Sequence, residues 1–242
     1  MQNEQKTILV TGASRGIGAE TALALSAKDG IRVLALSRNT EKLAQLCSRA
    51  LKEHHKANII ALEFDLETGN LAELAEHLRS TYGHLDGLIN NAASIVVKPF
   101  AELEADDFYR VFGLNVFRTA MLIKNLLPML RREGPRKTHI VNISSMGGFQ
   151  GSAKFAGLSA YSSSKAALCG LTECLAEELK DQHIAVNCLC LGAVQTEMLA
   201  EAFPGYIAPV SPKEMGAYIA GFALTGAGYF NGKSIPVSLS TP

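Results

Sequence analysis

The chain has 242 residues, 48% of them hydrophobic and 19% charged, which suits one sizeable α/β core and argues against disorder. Basic and acidic residues number 23 each, and a neutral chain is a poor electrostatic partner for nucleic acid or a membrane surface. Neither a signal-like start nor an apolar run of roughly 18 residues is present, so a cytoplasmic protein without a membrane span is expected. The five cysteines are odd in number and none has CxxC spacing, so they read as reduced thiols, with no metal site expected.

Taken in order, short β-rich runs alternate with helical patterns. TILVTG leads directly into a helix-like stretch from Gly16 to Lys28. IRVLALS is followed by TEKLAQLCSRALKEH, ANIIALEF by NLAELAEHLRSTY, and then comes LDGLINN. Phe108, Val111, Phe112, Asn115, Val116, Thr119, Leu122, Leu126 and Leu130 recur at helical spacing before THIVNIS. Leu168, Leu171, Leu175 and Leu179 form a stripe before IAVNCLCL; residues 212–225 suit a further helix, and GKSIPVSLS suits a last strand. Strands joined by helices of this length imply right-handed crossovers and a parallel sheet. Runs such as VLAL lack the alternation of a half-exposed strand, as expected for strands covered on both faces. The expectation is a single α/β domain over 1–242. It is a Rossmann-like doubly wound parallel sheet of about seven strands, with helices on both faces. No repeat or linker separates a cofactor half, about 1–135, from a catalytic and substrate half, about 136–242.

The loop VTGASRGIG joins the first strand to the first helix. Gly12, Gly16 and Gly18 supply a tight turn and close backbone approach, and Ser14, Arg15 and Ile17 complete a cradle for a pyrophosphate at the helix N-terminus. After the second strand, NAD-binding folds place an acid to bond the adenosine ribose. Here the strand ends in Ser37 and Arg38, with no acid. Two guanidiniums, Arg15 and Arg38, suit a 2′-phosphate, so NADP(H) is the expected cofactor.

TGASRGIG, NNAA at 90–93, Asn115, NISS at 142–145 and YSSSK at 161–165 together resemble the short-chain dehydrogenase/reductase family, from Thr11 to about Met198. The chemistry of the last motif agrees. A free tyrosine titrates near ~10, and half-ionising it at pH 7 takes about 4 kcal/mol, which a lysine one turn away is placed to supply. The resemblance implies Tyr161 as general acid or base, with Lys165 lowering its pKa and holding ribose hydroxyls. It implies Ser145, with Ser144 as the alternative, bonding the substrate oxygen. Asn115 would help hold a water that relays protons to Lys165. It also implies cofactor contacts from Asp65 and Leu66, Asn91 and Ala92, Tyr161 and Lys165, and Val194 and Thr196. The plainer reading has Asp65 capping a turn and Thr196 capping a helix.

Four departures from the family pattern are visible. Ala93 stands where glycine is usual, and Leu191 precedes Gly192 where proline is usual. Ser145 lies 16 residues before Tyr161, a few more than usual, suggesting an altered pocket wall in GGFQGSAKFAGLS. Only 44 residues follow Met198, with AEAFPGYIAPVSP as the one obvious lid. The expected activity is hydride exchange between NADP(H) and a small carbonyl or secondary-alcohol substrate. A catalytically weak NADP(H) sensor or scaffold, and an NAD-using dehydrogenase, are the alternatives. Phe149, Phe155, Leu158, Met198, Phe203 and Tyr206 would make the pocket apolar. A homodimer or homotetramer through helices 108–132 and 160–181 is expected.

Overall fold

The computed structural model describes residues 5–56, 58–131 and 137–239. Seven strands form one sheet: β1 (Lys6–Thr11), β2 (Ile31–Ser37), β3 (Ile59–Glu63), β4 (Gly87–Asn90), β5 (Thr138–Ser145), β6 (Ile184–Leu191) and β7 (Ser234–Val237). All neighbours are parallel, in the order β3-β2-β1-β4-β5-β6-β7. The helices are α1 (Gly16–Ser26), α2 (Thr40–His54), α3 (Leu71–Tyr82), α4 (Ala105–Phe112), α5 (Thr119–Leu130), α6 (Ser159–Glu178), α7 (Glu197–Ala202) and α8 (Pro212–Thr225). Among the described residues, no helix is long and apolar enough to cross a membrane.

The period of two along each strand sends successive residues to opposite faces. Ile8 and Val10 of β1 join a core with Leu23 and Leu25 of α1, Leu43 of α2 and Ile219 of α8. Leu9, between them, joins the opposite core with Leu78 of α3 and Leu122 and Leu126 of α5. Both faces are therefore covered, and all eight residues of β6 are buried, which is why the strands lack the apolar–polar alternation of a half-exposed sheet. Each such leucine or isoleucine contributes about 1.5–3 kcal/mol by leaving water.

Strand order reverses between β1 and β4, so their connections leave in opposite directions and open a crevice at the carboxyl ends. The expected sites lie on this rim. The run at 108–132 is not one helix: α4 gives way at Gly113–Arg118 to a stretch of π pitch before α5 begins. Apolar spacing does not distinguish the two pitches over six residues, and Asn115 sits in the middle of the wider one. Arg132 and the midpoint near 135 lie outside the described residues. The run at 160–181 is α6 up to Glu178, then a tight turn at Lys180–Gln182.

Candidate active site

The floor of the crevice is the glycine loop. Gly12 turns the chain with φ +66°, and a methyl group there would lie 2.9 Å from the Ala92 Cα. At Gly18 a methyl group would stand 2.3 Å from the Gly12 carbonyl oxygen. The hydroxyl of Thr11 accepts from the backbone N–H groups of Asn91 (3.0 Å) and Ala92 (3.1 Å). The Asn91 amide donates back to the carbonyls of Thr11 (3.0 Å) and Gly12 (3.2 Å). Asn91 thus locks the glycine loop to the end of β4. The first turn of α1 has no side-chain cap and no acidic residue, whereas Asn39, Asn70, Thr196 and Ser211 cap α2, α3, α7 and α8. Bare N–H groups at a helix start suit an anion.

From this floor a cavity of about 600 Å³ runs along the rim. Gly12, Ser14, Arg15, Gly16, Ile17, Gly18, Ser37, Arg38, Asp65, Leu66, Asn91, Ala92, Val194 and Thr196 all line it, together with Ser145, Tyr161 and Lys165. Asn115 does not. Asp65 and Thr196 also do what their plainer reading holds. Asp65 accepts from the Glu67 N–H at 2.8 Å, and Thr196 from the Leu199 N–H at 3.2 Å.

At the β2 end Arg38 is paired with Glu67 at 2.9 Å, and Arg15 with Glu197. Lys42, on the first turn of α2, approaches Glu197 at 3.8 Å. The Arg15 guanidinium, then Lys42, holds the Glu197 carboxyl below its usual range. Lys42, Glu67 and Glu197 also line the cavity and carry no sequence signature. An acid is thus present beside Arg38 after all, brought from the β3–α3 connection.

At the other end Tyr161 and Lys165 stand one turn apart on α6. The Ser145 hydroxyl, at the end of β5, faces the Tyr161 phenol and works against the rise in its pKa, and it accepts from the Gly147 N–H at 3.2 Å. The neighbouring Ser144 hydroxyl donates to the Lys165 carbonyl at 2.8 Å and so secures the helix backbone. Of the two serines, Ser145 is the one that meets Tyr161.

The side chains expected in two further roles make defined contacts. The Lys165 ammonium donates to the Ile143 carbonyl at 2.7 Å and lies 5.7 Å from the centroid of the Tyr161 ring. Removal from water pushes Tyr161 up to about 12, with the neighbouring Ser145 hydroxyl opposing, and the same burial pushes Lys165 down to about 8. Asn115, for its part, spends both amide hydrogens on the Ser94 carbonyl and the Ser164 hydroxyl, each 3.0 Å away. Its oxygen accepts from the Ser94 N–H at 2.8 Å, and Ser164 in turn donates to the Tyr161 carbonyl at 2.7 Å. The Asn115 side chain therefore ties the loop after β4 to the Tyr161–Lys165 turn of α6.

The family model described as short chain dehydrogenase matches residues 6–206. The chain belongs to the short chain dehydrogenase family. It is 37% identical over 202 residues to an uncharacterized oxidoreductase, YciK, of Escherichia coli K12, covering 82% of this chain and 77% of that protein. It is 36% identical over 198 residues to the ketoacyl reductase HetN of Nostoc sp., covering 81% of this chain and 66% of HetN, just under two thirds of its length. The crystal structure of a short chain dehydrogenase from Shigella flexneri 2a, complexed with NADP, superposes with a TM-score of 0.86 at 32% identity. That match covers 96% of this chain and 97% of the other. The chain is accordingly an oxidoreductase of this family.

In this short chain dehydrogenase the pocket beyond Tyr161 is walled by Phe155, Leu158, Met198 and Phe203; of the side chains expected there, Phe149 and Tyr206 do not line it. Phe155, from the extended wall, meets Phe203, at the end of α7, edge to face at 5.5 Å. The lid is pinned at its base: Val194 bridges Val210, and the Gln195 side chain accepts from the Ala208 N–H at 2.7 Å. Leu191 simply continues β6, in register with Ser145 and Val237, and the Gly192 N–H donates to the Val237 carbonyl at 2.9 Å. Ala93 lines the cavity without closing it.

Proposed function

We propose that the chain is an NADP(H)-dependent oxidoreductase that interconverts a carbonyl compound and its secondary alcohol, with reduction favoured at neutral pH. The observation that carries this reading is one continuous cavity with guanidiniums at one end and Ser145, Tyr161 and Lys165 together at the other. The cofactor fits the residues present. The glycine cradle leaves no room for side chains, the α1 N-terminus is uncapped, and Arg15, Arg38 and Lys42 surround the adenosine end. The NADP held by the Shigella flexneri relative supports the same choice.

When bound, the nicotinamide supplies or accepts the hydride. Everything else falls to the chain. Ser145 donates to the substrate carbonyl oxygen and orients it toward Tyr161. With its pKa near 12 the Tyr161 phenol is fully protonated at pH 7, and it passes its proton to the oxygen as the carbonyl becomes an alcohol. Lys165 holds ribose hydroxyls and positive charge behind the phenol. Asn115 is a positioning residue, acting through Ser94 and Ser164. Phe155, Leu158, Met198 and Phe203 favour a substrate whose group beside the carbonyl is apolar. Exposed Tyr109, Phe117 and Met121, around α4 and α5, support association of two chains through this region.

Glu67 favours a second reading, NAD use, since a carboxylate beside Arg38 can accept from ribose hydroxyls. Titration with NADPH and NADH, followed by nicotinamide fluorescence, separates the two. The proposal expects tighter NADPH binding that Arg38→Ala weakens and Glu67→Gln strengthens about two- to fivefold, the worth of an exposed ion pair. Tighter NADH binding that Glu67→Gln abolishes supports NAD instead.

A further inference from the structure

Behind the catalytic turn, three cysteines separated in sequence meet between α6 and the sheet. Cys188 and Cys190 are alternate residues of β6 and project from the same face. Cys169 lies on α6, one turn beyond Lys165. Its sulfur is 3.8 Å from that of Cys188 and 3.6 Å from that of Cys190, and all three lie within 4.8 Å of one another. Three sulfurs bound about 2.3 Å from a tetrahedral ion stand about 3.8 Å apart, so the cluster already has nearly that spacing. None of the three is in a disulfide. Cys188 and Cys190 are fully buried and Cys169 is half-buried.

Two hydroxyls border the sulfurs. Ser144 lies 3.6 Å from the Cys169 sulfur but is already bonded to the Lys165 carbonyl. Ser234 of β7 is the register partner of Cys188. Its hydroxyl is buried without a hydrogen-bonding nitrogen or oxygen and faces the Cys169 sulfur. Buried polar atoms usually have such a partner.

We propose that Cys169, Cys188 and Cys190 form a binding site for a thiophilic divalent cation of the zinc class, with the Ser234 hydroxyl nearest to the fourth position. Sulfur donors select soft and borderline ions and exclude calcium and magnesium, which require oxygen. Charge selects the valence. Three thiols each release a proton on binding, so one divalent ion leaves a complex of net charge minus one, which the Lys165 ammonium one turn away offsets. A monovalent ion would leave a complex of net charge minus two, of which Lys165 offsets only one, at greater cost in a dry setting. The site rests on the cysteines themselves and not on the reductase reading.

The competing description is three small apolar side chains filling a gap. Titration of the reduced chain with Cd²⁺, in a phosphine reductant, decides between them through the ultraviolet sulfur-to-cadmium charge-transfer band. The expected band saturates at one Cd²⁺ per chain, is displaced by Zn²⁺, persists in the double variant Cys47→Ser/Cys174→Ser, and is lost in Cys169→Ser. X-ray absorption at the cadmium edge on the unmutated chain is expected to count three sulfurs, which keeps the test independent of how well a variant folds. Fewer than three sulfurs, or a band that survives Cys169→Ser, overturns the proposal.

Discussion

Gly148 sits where the short turn after β5 presses on α6. A methyl group there would stand 2.5 Å from the Lys165 carbonyl carbon, 2.6 Å from the Ala166 nitrogen and 2.7 Å from the Lys165 Cβ. Ordinary contact begins at 3.4 Å, so Gly148→Ala forces the turn and the helix apart by about 1 Å. Two of the three obstructing atoms are backbone, so no rotamer change relieves the clash. Overpacking of this kind costs about 1–3 kcal/mol, which in a chain of this size lowers Tm by roughly 2–12 °C. The atoms displaced belong to Lys165 and, through Met146–Gly148, to the strand end that holds Ser145. A misplacement of about 1 Å at reacting groups lowers rate on the order of a hundredfold. The matched control is Gly170→Ala on the same helix, where a methyl group meets nothing within 4 Å. There the gain in helix propensity of about 0.5–1 kcal/mol raises Tm slightly and leaves turnover intact. The assay is NADPH consumption with a reactive diketone, beside thermal unfolding of both variants. Gly148→Ala with unchanged Tm and rate would refute the close seating of this turn on α6 and the positioning argument built on it.

Two further predictions concern pH. Alcohol oxidation needs an ionised Tyr161, so with the phenol near 12 its rate should rise with pH through neutrality and level off above about 8, where Lys165 loses its proton. Carbonyl reduction needs the neutral phenol and a charged Lys165, so it should hold level through neutrality and decline above about 8, where Lys165 loses its proton; rate profiles in both directions check this. His139 is buried between the Ala223 carbonyl (3.1 Å) and the Asn187 amide (3.0 Å), and burial pushes its pKa down to about 4 from 6.5. Its folded pKa is the lower one, so the stability it permits is present above pH 6.5 and is lost as pH falls toward 4. The linked loss is about 3 kcal/mol. Denaturant unfolding from pH 7 to 4 should show this loss, and His139→Gln should flatten it; an equally steep loss in the variant would assign it to other groups.

Some parts of this molecule could be read from short stretches of sequence and others could not. The glycine loop, the end of β2 and the pair Tyr161–Lys165 are local: each depends on residues within one turn or loop, so spacing alone placed them along the cavity. The apolar runs revealed strands covered on both faces for the same reason. The ion pairs Arg15–Glu197 and Arg38–Glu67 join elements remote in the chain, and nothing in either segment announces its partner. Asn115 stood out as a polar break in an apolar stripe, but Ser94 and Ser164 became its partners only through the fold. The direction of the Tyr161 shift is set by burial, which the separation of four residues from Lys165 does not reveal. Cys169 meets Cys188 and Cys190 only because β6 lies beside the sheet face of α6, a proximity invisible to a search for CxxC spacing.

The most direct test of the account is hydride transfer by Tyr161→Phe. That variant removes one hydroxyl and keeps the ring, so NADPH affinity should stay close to that of the unmutated chain while turnover of a reactive carbonyl substrate collapses. A variant that turns over at the original rate would contradict the assignment of Tyr161 as the proton donor, and with it the chemistry proposed for the cavity.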